Sequence, residues 1–141
     1  MKTLKILTLA IFTLMITSCS KSDDTVESET VIPPTTQELL QSGVWHIASK
    51  SGEITTQCLT QSYIKFVDED TMLNEFFDTS GGICESTGLD IHQYNKIGNV
   101  ININTPGDPV TLTIISITET ELNIVVDESG GVVYTINFIK Q

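Results

Sequence analysis

The side chains in this sequence from which chemistry could be built are two histidines, three cysteines and a few carboxylate and Ser-Gly clusters. His46 and His92 have no partner nucleophile, and no Gly-x-Ser-x-Gly elbow exists to supply one, so both read as residues on a strand face. Asp68-Glu69-Asp70 offers oxygen ligands for Ca²⁺, but it lacks the spacing and central glycine of a calcium loop and reads as an acidic hairpin turn. Ser80-Gly81-Gly82 and Ser129-Gly130-Gly131 imitate anion-binding nests. With no arginine in the chain and no helix following, they read as loop tips. The sequence therefore calls for no catalytic group, no metal and no cofactor, and an enzyme is not expected.

The cysteines carry more information. Lys2 and Lys5 precede an uncharged apolar run from Ile6 to Ile16, too short to span a bilayer, which needs ~20 apolar residues. A basic start, a short apolar stretch and then the small residues Thr17 and Ser18 form a secretory leader. Ile16-Thr17-Ser18-Cys19 resembles a bacterial lipoprotein box, in which the leader is cut before a cysteine that is then acylated. The resemblance implies a leader over 1–18 and a lipid on Cys19 that holds the protein to a membrane. Residues 19–35 are polar and acidic up to Pro33-Pro34 and read as a disordered tether. Lys21 followed by Ser22, Asp23 and Asp24 also resembles the signal that sends some Gram-negative lipoproteins to the cell surface, so the outer membrane is expected, at its periplasmic or its outer face. In that oxidising setting Cys58 and Cys84 read as a disulfide, since neither Cys-x-x-Cys nor His-x-x-x-His spacing competes with it.

Charge removes another class of function. Without the leader's two lysines, five basic residues face eighteen acids, a net charge of −13 in the mature chain. A nucleic-acid binder needs a basic stripe, and this chain has none. Arginine, the usual bidentate clamp for phosphate and carboxylate, is absent as well, which disfavours anionic ligands.

The elements that position these residues follow from hydrophobic periodicity. Thr36 to Ser42 reads as a short helix, capped by Thr35 or Thr36 and stopped by Gly43. Beyond it apolar and polar residues alternate, as in Leu122-Asn123-Ile124 and Tyr134-Thr135-Ile136-Asn137-Phe138. Strands are expected near 44–50, 61–67, 71–77, 88–95, 99–103, 109–117, 121–127 and 132–140, the even spacing of an all-β barrel or sandwich. In an up-and-down meander the connections 51–60, 78–87, 104–108 and 128–131 share one end, and the tight turns at 68–70, 96–98 and 118–120 share the other. Cys58 and Cys84 then lie at the same end. The helix, which precedes the first strand, belongs at the tight-turn end and can plug it.

Leu40-Gln41-Ser42-Gly43-Val44-Trp45 is similar to the Gly-x-Trp opening of lipocalins, and the run from Tyr94 to Ile103, followed by Ile117-Thr118-Glu119-Thr120-Glu121-Leu122, resembles later strands of bacterial lipocalin-like lipoprotein domains. The resemblance covers 36–141 and implies an eight-stranded antiparallel barrel with room for one small ligand. Lipocalins place a basic residue, usually arginine, from the end of the last strand against the opening tryptophan. Only Lys140 is available to Trp45 here, and it makes the cation–π contact more weakly.

The expected function is a non-enzymatic, membrane-anchored barrel that takes a small apolar or amphipathic ligand through the mouth formed by the longer connections. Tyr63 and Phe77 are the aromatic candidates for its lining. The competing expectation is an interaction module whose barrel is filled by its own side chains and whose loops contact a protein or glycan partner.

Overall fold

The computed structural model describes residues 32–105 and 107–141. The leader, Cys19 and the tether up to residue 31 lie outside them. Helix α1, Thr36–Gln41, opens the domain and is capped at both ends. The backbone N–H of Glu38 donates to Thr35 Oγ1 (3.2 Å), while Glu38 Oε2 accepts from the backbone N–H of Thr35 (2.6 Å), which satisfies two donors that a helix start leaves orphaned. The bond from Thr35 holds the Glu38 carboxyl below its ordinary range.

The strands are β1 Trp45–Lys50, β2 Tyr63–Phe66, β3 Thr71–Ser80, β4 Ile83–Ile97, β5 Val100–Ile103, β6 Val110–Ile117, β7 Glu121–Glu128 and β8 Val132–Lys140. Each pairs antiparallel with the next, and β8 returns to β1, so the sheet is a closed barrel without an edge. Alternation selects its interior. Ile64 and Phe66, Leu112 and Ile114, Leu122, Ile124 and Val126, and Ile136 and Phe138 are buried, and the residues between them face outward or toward neighbouring elements.

Two segments depart from the expected boundaries. The connection expected at 78–87 is instead the tip of a long hairpin: Thr79 pairs with Cys84 and Ser80 with Ile83, leaving a two-residue turn at Gly81-Gly82. Both glycines have positive φ (59° and 84°), the backbone that such a turn demands and that side chains resist. The link from β1 to β2 contains a second short helix, α2 Gln57–Gln61, capped by Thr56 Oγ1, which accepts from the backbone N–H of Leu59 (3.1 Å). Five residues show too little periodicity to announce a helix.

α1 closes the tight-turn end. Leu40 is fully buried against the barrel floor. Gln37 Nε2 donates to Tyr94 Oη (3.1 Å), and Tyr94 Oη donates to the backbone oxygen of Asp68 (2.7 Å), tying helix, β4 and the β2–β3 turn together. Asp68 Oδ1 accepts from the backbone N–H groups of Asp70 (3.0 Å) and Thr71 (2.7 Å), so the acidic cluster is built as a turn.

Candidate ligand cavity

The signature residues converge beside the plug. Trp45 and Lys140 are cross-strand partners on β1 and β8, and Lys140 Nζ lies 6.0 Å from the Trp45 ring centroid, at the outer limit of a cation–π contact. The ammonium also donates to Ser42 Oγ (3.2 Å). Trp45 is fully buried, and its Nε1–H donates to the backbone oxygen of Leu40 (2.8 Å), so one side chain fills the floor and fastens the helix to it. A Cβ on Gly43 would lie 2.7 Å from Lys140 Cδ and 2.8 Å from Cγ, which is why glycine stands at that point of the Gly-x-Trp run.

At the opposite end Cys58 and Cys84 form a disulfide that joins α2 to the β3–β4 hairpin. The hairpin is thereby tethered to the rim of the barrel mouth.

Between floor and mouth lies a cavity of about 280 Å³. Its lower wall is apolar, with Ile64, Met72, Leu112, Ile124, Ile136 and Phe138 pointing inward from five strands. Its upper wall is polar and acidic, with Asn74, Asp90, His92, Thr105, Asp108 and Glu128. Tyr134 spans the two. Its hydroxyl donates to Glu128 Oε1 (2.7 Å), and Lys50 Nζ lies 4.4 Å from its ring centroid while pairing with Glu53. Burial first, and then the bond to Glu128, push the Tyr134 phenol well above the ordinary tyrosine range.

Tyr63 and Phe77 do not line this cavity, which corrects the expectation that they would. Ile64 and Phe66 occupy the inward positions of β2, so Tyr63 faces out, where its hydroxyl donates to Glu75 Oε2 (2.9 Å) and its ring lies 5.5 Å from that of His46. The β3–β4 register shifts between Glu75 and Phe77 with the extra residue on β4, so alternation along β3 runs unbroken. Phe76 faces the cavity, whereas Phe77 joins Tyr63 and His46 along an outer groove. Inward positions the sequence reading passed over include Asn74 and Phe76 beside Met72, Asp90 and His92 beside Tyr94, and Tyr134 beside Ile136. The usable signal was period-two counting from the most apolar residue of each strand.

The model of the lipocalin-like domain family matches residues 42–124. Similar solved structures include bovine odorant-binding protein in complex with undecanal, at 15% identity over 78% of this chain and 76% of that one, with a TM-score of 0.47. Another is the bovine lipocalin allergen Bos d 2, at 15% identity over 76% and 75% of the two chains, with a TM-score of 0.49. No curated protein matches the sequence. With the family model covering more than half of its length and eight antiparallel strands closed in sequential order, the chain belongs to the lipocalin-like domain family.

Proposed function

We propose that this protein is exported, cleaved before Cys19 and anchored by lipid on that cysteine to the outer membrane, at its periplasmic or cell-surface face, where its barrel binds a small apolar or amphipathic ligand without catalysis. The cavity carries the ligand reading. Its apolar wall and a few convergent polar groups are the pattern of a small-molecule site, and about 280 Å³ sits just below the usual range of ~300–1,000 Å³, so the ligand is small. The floor beneath it is filled by Trp45, Phe66 and Leu122, which leaves the upper half as the binding space. The anchor reading rests on the leader, the small residues before Cys19 and the polar stretch after it.

Native mass spectrometry on protein secreted from residue 20 onward tests the ligand. An adduct that is released on denaturation is expected, and its mass gives the ligand's. A bare protein that also fails to take up small amphiphiles would overturn the reading in favour of contacts made by the loops. Cys19→Ser tests the anchor: the variant is expected to leave the membrane fraction and to lose incorporation of a labelled fatty acid, and retention in that fraction would count against it.

A further inference from the structure

Resting on the ligand reading above, we propose that the cavity selects ligands with an apolar body and a protonated amine head. Asp90, Asp108 and Glu128 line its upper wall, and neither lysine nor arginine does. Lys50, the last residue of β1, is already paired with Glu53 and stacked on Tyr134. Glu128 accepts from Tyr134 through Oε1. Its other oxygen has no bonded partner among the described residues.

The second observation is Asn74. It is 5% exposed, faces the cavity, and its side-chain amide has no hydrogen-bond partner among the described residues. Its amide oxygen is open to the cavity and offers a neutral acceptor to a ligand head that donates. An ammonium has three donors, enough for Asn74 and for carboxylates above it. A carboxylate head would meet three like charges and neither lysine nor arginine, with the His92 imidazole the one basic side chain in the lining, and a hydroxyl would gain no ionic contribution. The apolar residues below accept a short alkyl chain.

Calorimetric titration of the mature protein with octylamine, octanol and octanoate, which share one chain length, reads the head group alone. Octylamine is expected to bind about tenfold tighter than octanol, with octanoate weakest, and this advantage should shrink as salt is raised. Asp108→Asn, in an exposed connection and keeping a side-chain oxygen to accept from Ser129 Oγ, and Glu128→Gln should each narrow the ratio. Leu112→Trp, which fills the cavity, should abolish binding of octylamine and octanol together. Equal or tighter binding of octanol would overturn the amine selection and leave the cavity reading standing. Octylamine binding that survives Leu112→Trp would also overturn it, since attraction to the acidic surface would then suffice. Failure of all three ligands to bind would overturn the cavity reading itself.

Discussion

Single side chains here act through the neighbours that fix them. Gly43 leaves room for the stem of Lys140, so Gly43→Ala should push that stem aside, weaken its contact with Trp45 and cost about 1 kcal/mol in a denaturant titration. Trp45→Phe keeps most of the apolar volume but leaves the Leu40 carbonyl without its donor, and about 1–3 kcal/mol is expected to be lost. Tyr63 and Phe77 belong to the outer surface, so Tyr63→Ala and Phe77→Ala should leave ligand affinity unchanged while Leu112→Trp removes it. Loss of affinity in either outer variant would place binding in the groove beside His46.

At the scale of elements, the two ends of the barrel are held by different means. The plug depends on Leu40, fully buried from a helix too short to be stable alone, so Leu40→Ala is expected to cost about 3 kcal/mol and to loosen α1 in hydrogen exchange before the strands open. The mouth depends on the Cys58–Cys84 bridge, which closes a separation of 26 residues. Replacing both cysteines by serine should cost about 3 kcal/mol, and the protection lost should concentrate in α2 and the hairpin around Gly81. Uniform loss of protection over all eight strands would mean that the bridge supports the whole barrel and not its rim.

The whole molecule carries its three tyrosines in environments that disfavour the phenolate. A hydrogen bond to Glu75 does this for Tyr63, burial does it for Tyr94 against the bond donated by Gln37, and burial followed by Glu128 does it for Tyr134. A tyrosine whose folded-state pKa is raised contributes stability that is complete below its unfolded value of about 10 and is lost as pH rises through the folded value. The fold is therefore expected to weaken progressively above about pH 10, and the native ultraviolet spectrum should show less phenolate there than the unfolded chain does. Coincidence of the two titration curves would contradict these environments.

Much of this architecture was legible in the residues themselves, because alternation, a cap and short turns are local. Leu122 to Val126 and Tyr134 to Phe138 announce their strands, Thr35 and Gly43 bound the helix, and the parity of connections in a meander brings Cys58 to Cys84 before any coordinate is known. Tertiary structure decided what depends on register and closure. The bulge in the β3–β4 pair falls on β4, where Leu89 and Ser86 face Glu75 and Phe77, so the parity that sends Asp90 and His92 into the cavity does not carry through to the hairpin tip. Closure of β8 onto β1 sets Lys140 opposite Trp45 and brings Asn74, Asp90 and Glu128 from three strands around one opening. Asn74 and Asp90 already face each other across the β3–β4 hairpin, and only the completed barrel brings Glu128 of β7 to them.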